Sequence, residues 1–317
     1  MARSPLEKSR SIDAMGSPPA LELAHARRHL PCLLCGGEQL VDLHRKDPWR
    51  IVRCARCTLV FTLPRLPAEE LRAMYQDDYW KSSSARDFGY TDYLGDAELY
   101  RRTFALRLRW IRKHCAPPAR LLDVGCAAGF ALEVFARAGY DVRGVELSAS
   151  MARIAAQRVG EPRVHAGVLT EDVFPGLKFD LITLFDVVEH VEDPIALLDL
   201  ARRRLHPGGC ILLETQNVSS WFARLLGIRW QHYKFHEHLY HFDPRTVRAL
   251  LQRAGLEIDA WTRRYGGKYV SFRFIAERAG RLHPWIAALL RPLQRMPSAG
   301  LYINVFDEML VAARAHG

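Results

Sequence analysis

The stretch Arg120-Leu-Leu-Asp-Val-Gly-Cys-Ala-Ala-Gly-Phe130 decides the fold of this chain. It reads as a short apolar strand, a turn of small residues and the start of a helix. Gly125 permits a tight turn, while Ala127 and Gly129 let the backbone approach a ligand closely. The first turn of the helix offers backbone N–H groups that have no partner within the helix. The stretch therefore predicts a ligand-binding loop, of a kind that dinucleotide-binding and methyl-donor-binding folds share.

Short β-type segments alternate with helical segments from residue 120 onward. Such alternation implies a parallel sheet covered by helices on both faces. We therefore expect an α/β fold with a seven-stranded, mostly parallel sheet. The predicted strands are 121–124, 142–147, 164–169, 179–185, 210–214, 256–261 and 308–313.

Two acidic residues stand on the first two of these strands. Asp123 precedes the turn, so the loop reads Asp-x-Gly-x-Ala-x-Gly and lacks the three-glycine spacing of a pyrophosphate-binding loop. Glu146 ends the second strand, where a carboxylate can accept hydrogen bonds from both hydroxyls of a ribose. This arrangement resembles the first motifs of class I methyltransferases, Rossmann-like proteins that use S-adenosylmethionine (SAM).

The resemblance continues in family order over residues 120–214. It implies that the loop holds the methionine part of SAM, that Glu146 holds the ribose, and that residues 165–168 lie at the adenine edge. Ala127 stands where the family has glycine, and Val168 stands where the family often has aspartate. The cofactor-binding residues that the resemblance implies are Asp123, Gly125, Ala127, Gly129, Glu146, Leu147, Gly167, Val168, Phe185 and Asp186.

Four of the seven cysteines form two Cys-x-x-Cys pairs near the N-terminus. Cys32 and Cys35 are separated by eighteen residues from Cys54 and Cys57. Two such pairs predict a tetrahedral zinc site, because each forms a tight knuckle that presents two thiolates to one metal. Four thiolates leave no open coordination position, so the expected zinc is structural. Two disulfides would need an oxidising compartment, for which the sequence gives no sign.

The chain divides into four predicted parts, with a helix expected at 68–79 and another at 96–114. The parts are a mobile tail (1–29), a zinc-binding module (30–63), a helical lid or connector (64–116) and a SAM-binding core (117–317) with a partly helical insertion at about 266–300. Residues 32–84 resemble the N-terminal zinc module of bacterial methyltransferases that act on sugars and secondary metabolites. That resemblance makes Tyr79 a candidate for contact with the substrate.

Candidate catalytic residues lie after the fourth and fifth predicted strands of the core. His190 follows the fourth strand, and residues 232–242 contain four histidines and a glutamate. The resembled families carry a Glu-His pair at this second place, close to the substrate. His238 is therefore the first choice for the general base and His236 the second, with Glu237 orienting a neighbouring imidazole. A catalytic metal is not favoured here, because the histidines lack the helical spacing of such sites.

Composition and charge limit the remaining classes of protein. The chain has 317 residues, a net charge of +10 and 49% hydrophobic residues. It contains neither an apolar run long enough to span a membrane nor a secretory signal, so we expect a cytoplasmic protein without a membrane partner. The positive charge is spread along the chain, which argues against a nucleic-acid partner. The sequence leaves room for a homodimer.

The sequence thus predicts a SAM-dependent methyltransferase with SAM as cofactor and a structural Zn²⁺. The expected acceptor is a small molecule, a glycosyl or polyketide-type metabolite, methylated on oxygen with a histidine base. C-methylation of a sugar or another carbon acid is the first alternative. A zinc-ribbon RNA methyltransferase and a non-catalytic interaction module are further alternatives. Base N-methylating enzymes carry an Asn/Asp-Pro-Pro-aromatic motif where this chain has Phe185-Asp-Val-Val-Glu-His190.

Overall fold

A computed structural model describes residues 29–75, 77–80, 92–276 and 300–315. The expected mobile tail, apart from residue 29, and residues 277–299 of the expected insertion lie outside this part of the chain. The strands are β1 (Leu40–Lys46), β2 (Trp49–Cys54), β3 (Val60–Leu63), β4 (Arg120–Val124), β5 (Asp141–Glu146), β6 (Val164–Ala166), β7 (Phe179–Phe185), β8 (Leu205–Gln216), β9 (Tyr240–His241), β10 (Leu256–Thr262), β11 (Lys268–Ser271), β12 (Gly300–Ile303) and β13 (Glu308–Ala315). The helices are α1 (Ala68–Ala73), α2 (Asp77–Trp80), α3 (Ala97–Ile111), α4 (Phe130–Arg137), α5 (Ala149–Val159), α6 (Pro194–Arg203), α7 (Trp221–Leu226) and α8 (Pro244–Arg253).

The central sheet has seven strands in the order β6-β5-β4-β7-β8-β13-β10. The first five of these strands are parallel to one another. Only β13 runs antiparallel to its two neighbours. The predicted seven-stranded, mostly parallel α/β sheet is confirmed. Its parallel strands bring the carboxyl ends of β4, β5 and β7 to one edge, where ligands bind in such folds.

Helices cover both faces of this sheet, as predicted. Successive residues of a strand point to opposite faces. Leu121 and Leu181 belong to an apolar cluster that includes side chains of α3, α4 and α5. Leu122 and Ile182 belong to a second cluster that includes side chains of α6 and α8. Each face therefore has its own core.

A second, antiparallel sheet joins the cysteine-rich segment to the core. Its strand order is β1-β2-β3-β9. The first three strands lie between residues 40 and 63, as a hairpin and a third strand. The fourth strand, β9, comes from the histidine-rich segment that follows β8. The buried residues of this sheet share the apolar cluster of α6 and α8. The cysteine-rich segment is therefore completed by a strand of the core.

One local prediction differs from the structure. The helix predicted over 68–79 is two short helices, because the backbone N–H of Tyr75 bonds the carbonyl of Arg72 and tightens the last turn of α1. At the start of the expected insertion, residues 268–271 form a strand that pairs antiparallel with β12, and residues 272–276 are helical. The partly helical insertion over about 266–300 stays a prediction. Within the described residues, no helix combines the length and apolar character needed to cross a membrane.

A buried ion pair ties α3 to the central sheet. The Arg107 guanidinium donates a hydrogen bond to the Glu214 carboxylate of β8, and both side chains are almost fully buried. Glu308 at the start of β13 lies 4.0 Å from the same guanidinium. A buried carboxylate that loses its only cation keeps its desolvation cost without compensation. The contact therefore constrains how α3 sits on the sheet.

We expect the Arg107→Met variant to be about 3–5 kcal/mol less stable than the wild type, because it leaves Glu214 without its buried ion-pair partner. Urea unfolding monitored by circular dichroism would measure the loss. Arg137→Met is the matched control: Arg137 pairs with Glu133 but its side chain is 71% exposed. That variant should lose less than about 1 kcal/mol. Equal losses in the two variants would contradict the role of the buried pair.

Candidate active site

The loop between β4 and α4 has a backbone that favours small residues. Gly125 and Gly129 both have φ of 78°, in the left-handed region. A Cβ on Gly125 would lie 2.7 Å from Val187 Cγ2, and one on Gly129 would lie 2.9 Å from Ala155 Cβ. Ala127 has φ of 47°, so this residue adopts a conformation that glycine tolerates better. The loop's path thus depends on the small residues that the sequence singled out.

Asp123 lies at the base of this loop, inside the protein. Thr183, its register partner on β7, donates a hydrogen bond of 2.7 Å to Asp123 Oδ1. Burial raises the pKa of Asp123 to about 7, the Thr183 bond lowers it in part, and the nearby Glu146 adds to the rise. The carboxyl is therefore close to half-ionised at neutral pH. A cationic ligand group beside the Asp123 carboxyl would stabilise its ionised form.

Glu146 ends β5 and binds the same loop through its side chain. Its Oε2 accepts a hydrogen bond from the Ala127 N–H, and its Oε1 accepts one from the Ser148 N–H, each at 2.8 Å. Burial raises the pKa of this carboxyl, and the backbone hydrogen bonds oppose the rise. A carboxylate oxygen can accept more than one hydrogen bond. Each oxygen can therefore accept a further hydrogen bond, so that the carboxylate could bind two ribose hydroxyls.

One cavity of about 790 Å³ opens onto these residues. Nine of the ten predicted cofactor residues line it. Gly129 does not; it caps α4 beside the loop. The volume exceeds the roughly 300 Å³ lower limit of small-molecule pockets and leaves room for two ligands. The lining cofactor residues are Asp123, Gly125, Ala127, Glu146, Leu147, Gly167, Val168, Phe185 and Asp186.

His190 and His238 line the same cavity and face each other. Their ring centroids are 4.6 Å apart and their planes are nearly perpendicular. His190 Nδ1 lies 3.1 Å from the backbone carbonyl oxygen of Glu237 and 2.8 Å from the hydroxyl of Tyr75. Burial lowers the pKa of His190 to about 4 and that of His238 well below its usual range. Both imidazoles are therefore neutral at physiological pH.

Of the other predicted catalytic residues, Tyr79 lines the cavity, and His236 and Glu237 do not. Tyr79 lines the cavity and donates a hydrogen bond of 3.1 Å to Glu237 Oε2. Lys234 donates one of 2.7 Å to the same oxygen. Glu237 is buried and lies outside the cavity lining. His236 also lies outside it, with its ring 4.9 Å from that of Trp49.

Asp186 lies between the cofactor loop and the histidines. It has φ of 54°, and its carboxylate accepts a hydrogen bond of 2.9 Å from Lys268 Nζ. Lys268 also pairs with Glu308 at 2.9 Å. Burial alone would raise the pKa of Asp186, but the Lys268 ammonium and the Arg107 guanidinium lower it to about 2. Asp186 is therefore an anion beside the cavity at neutral pH.

The four cysteines of the two pairs meet outside the cavity. All four Sγ atoms lie within 4.8 Å of one another. Cys32 Sγ is 3.3 Å from Cys57 Sγ, and Cys35 Sγ is 3.5 Å from Cys54 Sγ. A tetrahedral zinc with bonds of about 2.3 Å requires sulfur–sulfur distances of about 3.8 Å. The donor set and its spacing therefore fit a tetrahedral zinc ion.

Four residues of the site were not predicted from the sequence. Tyr75 could have been found, because it stands four residues before Tyr79 within the helix that the sequence predicts over 68–79. Thr62, Thr183 and Lys268 carry no local signal. Thr183 meets Asp123 only through strand register, and Thr62 and Lys268 reach the site from distant segments.

Comparisons with known proteins point to one family of enzymes. Residues 96–260, just over half of the chain, match the model of a family described as a methyltransferase domain. The ubiquinone biosynthesis O-methyltransferase of Cereibacter sphaeroides is 33% identical over 148 residues, or 44% of this chain and 60% of that protein. The protein of the same name from Thiobacillus denitrificans is 30% identical over 171 residues, or 50% of this chain and 73% of that protein.

The chain spans only about three fifths of the first two curated relatives, with shares of 60% and 59%. Among solved structures, the magnesium protoporphyrin IX methyltransferase of Synechocystis, determined with bound S-adenosylhomocysteine (SAH), aligns with a TM-score of 0.46 and 17% identity. That alignment covers 77% of this chain and all of the other.

The fold and the cofactor loop define a class I SAM-dependent methyltransferase. The family match spans α3, the loop and the strands β4 to β9. The chain belongs to this methyltransferase-domain family. The prediction of a SAM-dependent methyltransferase is confirmed.

We expect the affinity for SAH to weaken about tenfold between pH 8 and pH 6. On the proposal that the Asp123 carboxylate binds the ligand's ammonium group, affinity falls as pH drops through the Asp123 pKa of about 7. Isothermal titration calorimetry at several pH values would measure this change. The Asp123→Asn variant should bind SAH more weakly at pH 8, with little further loss at pH 6. An unchanged pH dependence in the variant would exclude Asp123 as its source.

Proposed function

We propose that the protein methylates a hydroxyl oxygen of a small-molecule acceptor and that His190 accepts the proton. The observation that best supports this proposal is the contact between His190 Nδ1 and the carbonyl oxygen of Glu237. A carbonyl can only accept, so this contact places the proton of the neutral ring on Nδ1. Nε2 then carries a lone pair, as a general base requires.

The remaining neighbours of His190 support this assignment. The Tyr75 hydroxyl can accept a hydrogen bond from the Nδ1–H, and this contact restricts rotation of the ring. His238 packs edge-on against the same ring. A ring held in one tautomer and one orientation does not need to reorganise when the proton moves. His238 is a second neutral group that can bond the acceptor.

SAM, when bound, supplies a methyl group that its sulfonium charge already activates. The chain would hold it through the loop at Gly125–Ala127, through Asp123 and through Glu146. The chain's own tasks are to align the acceptor oxygen, exclude water and remove the hydroxyl proton. The proton would go to His190 Nε2, and the resulting imidazolium would gain from the anionic Asp186.

The aromatic lining of the cavity favours a flat or apolar acceptor. Tyr79, Trp80 and Tyr93 form a chain of rings with centroids 5.0 Å apart at each step, and all three line the cavity. The relatives are named O-methyltransferases of ubiquinone biosynthesis, which supports oxygen as the methylated atom. Those names lend no support to the glycosyl or polyketide-type acceptor expected from the sequence. We therefore propose a hydroxylated aromatic acceptor.

We expect His190→Gln to lower the turnover number by about 10²–10⁴ while SAH affinity stays within about twofold, because only the proton acceptor is lost. Methyl transfer from tritiated SAM to a panel of phenols, catechols and sugars would measure turnover, and NMR of the product would locate the methyl group. His206→Gln, at an exposed histidine, is the control and should have full activity.

Three results would contradict the proposal. Full activity of His190→Gln would remove His190 as the base. Loss of activity only in His238→Gln would transfer the role to His238. A methyl group found on carbon or nitrogen would exclude O-methylation.

We also propose that the cysteine cluster binds one structural zinc ion. All four donors are cysteines, which in structural sites bind zinc without an open position. A Cβ on Gly37 would lie 3.3 Å from both Cys35 Sγ and Cys54 Sγ, so only glycine leaves the sulfurs unobstructed there. The cluster lies outside the cavity lining, which supports a structural role.

We expect about one zinc per chain in the wild type, measured by mass spectrometry of the purified protein. Cys54→Ser should reduce the zinc content several-fold and lower the melting temperature, because a structural zinc contributes to folding. Cys210→Ser, at a buried cysteine of β8 outside the cluster, is the control and should keep its zinc. A full zinc content in Cys54→Ser would argue against this ligand set.

A further inference from the structure

We infer that Thr62, on strand β3 of the cysteine-rich sheet, is a positioning residue for the histidines at the acceptor end of the cavity. The inference rests on the proposed function in taking His190 and His238 as the groups that meet the acceptor. Thr62 itself does not line the cavity.

Thr62 bonds the histidine segment through both its backbone and its side chain. Its N–H donates to the carbonyl oxygen of Leu239 at 3.0 Å. Its hydroxyl donates to the carbonyl oxygen of His238 at 2.9 Å and contacts His241 Nε2 at 3.1 Å. Thr62 is buried, so water does not compete for these bonds. Two successive peptide units of the histidine segment are therefore fixed by one residue.

The hydroxyl also determines the protonation of His241. A threonine hydroxyl has one proton, and here the carbonyl of His238 takes it. The contact with His241 must then run from an Nε2–H to the threonine oxygen. His241 is thus the neutral Nε2–H tautomer, and burial lowers its pKa to about 3, which keeps the ring neutral. This tautomer provides an observable that does not depend on catalysis.

The opposite side of the histidine segment is held by the turn that carries His190. The N–H groups of Leu239 and Tyr240 donate to the carbonyl of Glu189 at 2.8 and 3.3 Å. His190 Nδ1 in turn contacts the carbonyl of Glu237. Residues 237–240 therefore lie between Thr62 on one side and the Glu189–His190 turn on the other. A shift of residues 237–240 would move the His238 ring and also the carbonyl oxygen that contacts His190 Nδ1.

The cysteine cluster is linked to Thr62 by the β2–β3 hairpin. The N–H of Cys54, the last residue of β2, bonds the carbonyl of Leu59 at 2.9 Å, and Arg53 pairs with Val60. Ile51 of β2 lies opposite Thr62 of β3. The hairpin thus connects the cysteine cluster to Thr62 through paired backbone strands. Through Thr62, the cysteine-rich sheet contacts the segment that carries His238.

The test compares Thr62→Val, which keeps the shape but removes the hydroxyl, with Thr62→Ser, which restores it. ¹⁵N-histidine NMR of the full chain would report the tautomers, with signals assigned from His190→Gln, His238→Gln and His241→Gln. Thr246→Val is the matched control, because Thr246 is equally buried but its hydroxyl bonds Asp243 in the capping box of α8. Thr62→Ala provides the same comparison if Thr62→Val does not fold.

We expect Thr62→Val to change the signals of His190, His238 and His241. Turnover should fall about 10- to 100-fold with SAH affinity within about twofold, because displacement of the proton acceptor affects only the transfer step. Thr62→Ser should restore both the signals and the turnover. Thr246→Val should lower the melting temperature without changing either.

Unchanged histidine signals in Thr62→Val would overturn the inference, as would equal changes in Thr246→Val. It would also be overturned if His190→Gln lost activity while Thr62→Val kept it. Another pattern of results would overturn the proposed function itself. Changed histidine signals with full turnover in Thr62→Val, His190→Gln and His238→Gln would overturn the proposed function, and with it the positioning role of Thr62.

Discussion

The pairing of β3 with β9 is the contact on which the acceptor end of this site depends. Residues 237–241 contain only a two-residue strand, and so short a segment has little structure of its own. Its backbone groups are instead bonded by Thr62 on one side and by Glu189 on the other. A buried backbone group without a partner would cost free energy comparable to a lost hydrogen bond. The histidines therefore hold their positions because two separate parts of the chain meet around them.

The two ends of the cavity are built on different physical principles. At the cofactor end, Glu146 and the loop of small residues are local to the first two strands of the core, and the ligand meets a carboxylate and backbone groups. At the acceptor end, neutral imidazoles and aromatic rings predominate, with the anionic Asp186 beside them. Burial lowers the pKa of His190 to about 4, which keeps the ring neutral. Such a division suits a reaction that joins a charged donor to a weakly acidic hydroxyl.

Much of the fold and the cofactor end could be predicted from the sequence, because their signals are local. The loop after β4 is a contiguous run of small residues, and the strands of the core are short apolar segments at regular intervals. The two Cys-x-x-Cys pairs likewise carry their spacing in the sequence. The roles of His236 and Glu237 were harder to predict, because three neighbouring residues can face three directions. In the structure, only His238 of this trio lines the cavity, while His236 packs on Trp49 and the Glu237 carboxylate bonds Tyr79 and Lys234.

The sequence by itself determined the class of protein, the cofactor loop and the grouping of the four cysteines, since each depends on residues close together in the chain. Only the tertiary structure decided which histidine ring is held in one orientation at the cavity, which is the basis of the role proposed for His190. That orientation comes from the carbonyl of Glu237, from Tyr75 and, through the backbone of His238, from Thr62, residues that stand up to 176 positions apart. Hydrogen bonds between such distant residues form only when the strands are aligned in register. Sequence patterns record periodicity along one segment, and they contain no information about the register between two.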